Sequence, residues 1–174
     1  MTENAWGEVP RPVRQLIDSL RGIIRDHSER LSQIDWPEGA GDITPQLLTT
    51  LEETERVMQA SKDLRSLLTA YAHKMHQPRP KMADVARAQS ASPQAVTTRY
   101  TTKTTAALEQ LLEHPELVEG KPTPIGEQAA KILQDGFPSL NDGPIDLTQG
   151  RGLDVDLSFE LTRAASSAGT AKKL

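Results

Sequence analysis

The chain contains no cysteine. That excludes a disulfide framework and a thiolate metal site, and it fits a reducing compartment. Aromatic residues make up only 3%. Whatever core forms must therefore be aliphatic and modest. No run of about 18 apolar residues occurs, so no membrane-spanning helix is expected. The opening MTENAWGEVPRPVRQ lacks a basic stretch followed by an apolar one, the pattern of a secretory signal. The expected location is the cytoplasm. Equally absent are a G-x-x-x-x-G-K-[ST] phosphate loop and a Ser-His-Asp signature. No enzyme activity is expected, nor any cofactor.

What is present is 174 residues, 36% of them hydrophobic, with 12 prolines and 11 glycines. The prolines and glycines gather near the N-terminus, in connectors and in the last third. Helices are expected in the middle, followed by a weakly ordered C-terminal segment. The net charge of -4 hides an asymmetry. Residues 73–103 hold six basic and one acidic residue, whereas both flanks are acidic. A basic island in an acidic chain is compatible with phosphate contact, because the charge of the facing surface decides binding.

Hydrophobic spacing predicts a helix from Pro12 to Ser32, with Val13, Leu16, Ile17, Leu20, Ile23 and Ile24 on one stripe. Trp36-Pro-Glu-Gly-Ala-Gly41 breaks it. A second helix is predicted from Thr44, read as its N-cap, to about Met75. Its apolar positions include Leu47, Leu48, Leu51, Met58, Leu64, Leu67, Leu68 and Tyr71. This length suits an antiparallel hairpin with the first helix or a homodimer seam. The Gln77-Pro-Arg-Pro80 connector leads to two short helices near 82–89 and 93–100. A fifth helix is predicted from Thr104 to Glu113 and a sixth from Pro124 to Asp135. From residue 137 the chain reads as a tail. Within it, LDVDLSFEL alternates apolar and acidic residues, as a strand or a partner-binding strip would.

The segment Met82–Tyr100 has the residues that a helix-turn-helix needs. Val85 is the apolar anchor, and Ala86 is the small contact where the helices meet. Ser92 caps the second helix, with Pro93 in its first turn. Val96 faces inward and Tyr100 closes the core beneath it. Asp84-Val85-Ala86 with Ser92, Gln94 and Val96 resembles the helix-turn-helix of lactose-repressor-type regulators. The ending Ser92-Pro-Gln-Ala-Val-Thr-Thr-Arg99-Tyr100 is similar to small actinobacterial and phage helix-turn-helix proteins. The turn departs from the first family, with Ser90 where glycine is usual and Gln89 in place of a small apolar residue.

The resemblance implies an all-α fold, a helix-turn-helix on a longer helical scaffold. It implies sequence-specific binding of double-stranded DNA, as a transcriptional regulator or repressor associated with the nucleoid. Ser92, Gln94, Thr97 and Thr98 are the candidate base contacts, and Arg79, Lys81, Arg87, Arg99 and Lys103 the candidate phosphate contacts. Two other readings stay open. One is a replication, partition or nucleoid accessory protein; the other is an adaptor that binds protein through the same motif or the acidic C-terminal segment. The expected organisation is a scaffold at 1–76, the DNA-binding region at 77–113, a helical region at 114–136 and a tail at 137–174.

Four further expectations are simpler. His73 and His76 stand three apart, but no third ligand is near, so no metal site is expected. His27 and His114 are expected at the surface. Glu52, Glu53 and Glu55, in the run LEETE, are expected on a solvated helix face. Trp6 and Trp36 are expected to anchor loops onto helices, with a partner contact the equal alternative for Trp6.

Overall fold

A computed structural model describes residues 8–114 and 124–142. Within them the fold is all-α: α1 (Arg11–Ser32), α2 (Thr44–Lys74), α3 (Met82–Ala88), α4 (Pro93–Thr97), α5 (Thr102–Glu113), α6 (Pro124–Gly136) and a closing 3-10 turn (Pro138–Asp142). No described helix is long and apolar enough to cross a membrane.

Prolines set where the first two helices begin. Both α1 and α2 carry Pro in the first turn, where its missing N–H has no intrahelical partner. Thr44 is not the N-cap of α2 but its first helical residue. The Asp42 carboxylate accepts the Thr44 N–H at 2.9 Å. Hydrogen bonding from the Thr44 side chain, and then from its backbone, holds the Asp42 pKa below the usual carboxylate value. An acidic group suits that end of the helix dipole.

The two long helices pack side by side as a hairpin. Val13, Leu16, Leu20 and Ile23 of α1 meet Ala60, Leu67, Ala70 and Tyr71 of α2. Ala107, Leu108 and Leu111 of α5 and Leu133 of α6 complete the core. Each leucine so buried contributes roughly 1.5–3 kcal/mol of transfer free energy.

The apolar stripe of α2 divides between two faces. Leu67 and Tyr71 enter the core, whereas Leu47, Leu48, Leu51, Met58 and Leu68 are exposed. A helix turns about 100° per residue, so Leu51 lies half a turn from Ala60. The inner face of the helix is completed by smaller and polar groups, among them Glu53, Asp63 and Ser66.

Two polar groups, His27 of α1 and Glu53 of α2, overturn the expectation of a solvated surface. His27 is buried, and its Nδ1 lies 2.6 Å from Oε2 of the buried Glu53. Glu53 therefore points inward, unlike its exposed neighbours Glu52 and Glu55. Asp63 is buried too, and it fixes the end of the described chain. Its Oδ2 accepts the Ser139 N–H at 2.8 Å and the Ser139 hydroxyl at 2.6 Å. Residues 137–140 are consequently not part of a tail, because Phe137 and Leu140 belong to the core. Trp36 anchors nothing comparable; it is 51% exposed. Trp6 and the LDVDLSFEL segment lie outside the described residues.

The α5–α6 contact depends on a glycine. A Cβ at Gly136 would stand 2.6 Å from the Ala107 Cβ and 2.9 Å from the Lys103 carbonyl oxygen. Only glycine permits this approach of α6 to α5.

Candidate nucleic-acid interface

The turn between α3 and α4 is a helix C-cap followed at once by a helix N-cap. Ser90 takes a φ of 48°, the left-handed conformation that glycine adopts most readily. Its N–H donates to the Arg87 carbonyl at 3.1 Å, and the Ala91 N–H reaches the Ala86 carbonyl at 2.9 Å. These two bonds form a Schellman motif, which satisfies carbonyls that the end of α3 leaves open. Two residues on, the Ser92 hydroxyl accepts the Ala95 N–H at 3.2 Å and starts α4. Because Ser90 holds a conformation that costs a non-glycine residue about 1 kcal/mol, Ser90→Gly should stabilise the chain by about 0.5–1 kcal/mol. Thermal unfolding measures this; a loss of stability would mean that the serine side chain has a role here beyond the turn.

Inside the unit, Ala86 and Val96 are buried and Val85 is half-buried. They press the two short helices together. Tyr100 is half-buried and packs on the main core, as its position one turn after Val96 predicts.

Two polar ties join the unit to α2, and sequence reasoning missed both. The Gln89 Nε2 donates to the Thr69 Oγ1 at 2.9 Å. Thr69 in turn donates its proton to the Arg65 carbonyl, so towards Gln89 it acts only as acceptor. The departure from a small apolar residue at position 89 is thus a tether. Further along, the Tyr100 hydroxyl shares a hydrogen bond with Nδ1 of His73, and the two rings meet edge to face. Burial raises the Tyr100 pKa and keeps the hydroxyl protonated. His76 makes a longer contact, 3.4 Å, with the Tyr71 hydroxyl. Each histidine of the pair therefore faces a tyrosine. Only the i, i+27 separation of His73 and Tyr100 hid this tie from a local reading.

The candidate base contacts share one side of the unit. Gln94, Thr97 and Thr98 are exposed, and their spacing of three and four places them on one face of α4. The Thr97 hydroxyl donates to the Gln94 carbonyl at 2.8 Å and the Thr98 hydroxyl to the Ala95 carbonyl at 2.8 Å. With their protons committed to the helix, both hydroxyls offer lone pairs outward. Their methyl groups stand beside those oxygens. Ser92 is exposed as well, but its oxygen already serves the cap.

The candidate phosphate contacts differ among themselves. Arg79 and Lys81 are exposed on the connector and at the start of α3. Lys103 is exposed in the first turn of α5. Arg99 is half-buried. Arg87 is exposed and pairs with Asp84 at 3.0 Å, one turn earlier on α3. Asp84 is the single acid of the basic island, so this pair reduces what Arg87 offers to a phosphate. Among the described residues, no group of three metal-ligating side chains converges.

Comparison with protein-family models, with curated proteins and with solved structures finds no match to this chain.

Proposed function

We propose that this chain binds double-stranded DNA sequence-specifically through α4, and that it acts as a transcriptional regulator. One observation carries the reading. Gln94, Thr97 and Thr98 form an exposed polar face on a helix whose other side is fixed by the buried Val96. Chemistry on that face suits the major groove. A glutamine amide matches adenine through both its groups. A hydroxyl that only accepts suits the amino groups of adenine or cytosine, and a methyl suits that of thymine. Around this face the basic island supplies phosphate contacts, which set register without reading sequence. Nucleoid association follows from the same contacts.

The test separates the two roles. Preferred sites are first selected from random duplexes with the full-length protein. Gln94→Ala should then cost about 1–3 kcal/mol on the selected site and little on random DNA. Lys81→Ala should weaken both by similar amounts and lower the salt slope by about 1. Equal losses for Gln94→Ala on both DNAs would remove it from base reading. If the parent selects no sequence and binds no duplex at low salt, the proposal fails and a protein-binding adaptor becomes the better reading.

A further inference from the structure

We propose that a second copy of this chain covers the outer face of α2, crossing antiparallel about a two-fold axis near positions 59 and 60. The self-association stands without the DNA-binding reading; only the spacing argument below rests on it.

The face is apolar and unpartnered. Leu51 is 58% exposed and Met58 60%, with Leu47, Leu48 and Leu68 exposed beside them. Large apolar side chains grouped on one exposed helix face mark an interaction site more often than a solvated wall. Its spacing identifies the class of partner. From Leu47 the seam runs through Leu51, Thr54, Met58, Ser61 and Arg65 to Leu68 in alternating steps of four and three residues. That is the 3.5-residue repeat along which one helix packs on another. The core-facing residues of α2 occupy the opposite side, so the seam is independent of the hairpin with α1.

Charge selects a copy of the same chain and fixes its direction. Glu55 and Lys62 flank the seam on one edge, one heptad apart, and both are exposed. Neither makes an ion pair among the described residues, although exposed pairs form elsewhere on α1, α2 and α3. In an antiparallel pair, like edges of the seam face each other. Setting Leu51 against the partner's Leu68 places Met58 against the partner's Ser61 and Thr54 against the partner's Arg65. The same register brings Glu55 against the partner's Lys62, and Lys62 against the partner's Glu55. The two Leu51–Leu68 layers and the two charge pairs thus close together in one two-fold, self-complementary arrangement. A parallel pair would leave both charges without these partners.

The geometry has a consequence for the helix-turn-helix units. Each is tethered to α2 through Thr69. With a rise of 1.5 Å per residue and an interaxial distance of about 9 Å, the two Thr69 tethers stand about 30 Å apart. One turn of B-DNA separates the half-sites of paired helix-turn-helix units by about 34 Å. The seam therefore sets two recognition units on the scale that one face of DNA requires.

Sedimentation equilibrium of the full chain, without DNA, tests the proposal. The parent should be a dimer. Leu51→Glu should raise the dissociation constant by at least about a hundredfold, because each dimer loses two buried leucines. Its helical circular dichroism should be unchanged, since Leu51 is exposed in the monomer. Glu55→Lys should weaken the dimer by roughly tenfold, and adding Lys62→Glu should restore it. A parent that stays monomeric at its highest soluble concentration overturns the proposal. So does a dimer that is indifferent to Leu51→Glu, since it must form elsewhere. Loss with Leu51→Glu but no recovery in the charge swap overturns the antiparallel register. A monomer that binds DNA sinks this inference alone, and a dimer that ignores DNA sinks the proposed function alone.

Discussion

Asp63→Ala should destabilise the chain by about 4 kcal/mol. The carboxylate is buried and has three tasks. Through Oδ2 it accepts the Ser139 N–H and hydroxyl, and through Oδ1 the Gln59 amide at 2.8 Å. Alanine leaves the buried Ser139 with two unsatisfied donors, and each such group costs about 1–3 kcal/mol. Phe137 and Leu140 flank Ser139 in the core, so the closing turn should loosen as a unit. Asp63→Asn should cost less, because one oxygen remains to accept. Denaturant unfolding of both variants gives the order. Hydrogen exchange at residues 137–142 locates the effect. An Asp63→Ala variant as stable as the parent would show that the turn holds by its apolar contacts alone.

His27→Ala should cost about 3–5 kcal/mol, the range for removing one partner of a buried pair. The loss has two sources. A cavity opens between α1 and α2, and the buried Glu53 carboxylate loses its partner at 2.6 Å. Replacing both residues separates these sources. His27→Leu combined with Glu53→Leu should recover most of the stability, because a buried pair is often matched by apolar residues of similar size. If the double variant is as unstable as His27→Ala, the pair is worth more than apolar packing at this position. Neither side chain lies on α3 or α4. Folded variants should therefore keep the parent's DNA affinity, which separates stability from recognition.

Much of the fold was legible from periodicity and punctuation. The first helix follows from its stripe of Val13, Leu16 and Leu20, and the two starts from prolines in the first turn. The turn chemistry was equally readable. Ser92 before Pro93 announced the cap of α4, and the resemblance to lactose-repressor-type motifs, with Ser90 where glycine is usual, implied the left-handed residue. Local rules suffice there, because each involves bonds spanning only a few residues. Boundaries moved where the cap lies one to three residues before the expected position. The N-cap of α2 is Ile43, next to the Asp42 carboxylate that accepts the Thr44 N–H, and α5 starts from Thr101, whose hydroxyl accepts the Thr104 N–H.

Less was legible wherever polar groups meet across the fold. His27 and Glu53 looked like surface residues, because a charged residue type is usually solvated. Asp63 gave no sign of its bond to Ser139, 76 residues away. Gln89 looked like a mere departure from a motif, yet it is the tether to Thr69. On α2 the apolar pattern was visible, but not which leucines would be covered.

The sequence by itself determined the helices, the capped turn and the polar face of Gln94, Thr97 and Thr98. Each depends on periods of three and four residues or on bonds within one turn, and the chain carries that information locally. Only the tertiary structure decided which face of α2 is buried, which carboxylates are inside and what holds the helix-turn-helix to its scaffold. Those outcomes depend on what a distant segment brings to the same place. A buried polar group is stable only where its partner arrives, and an apolar face is covered only where another helix reaches it.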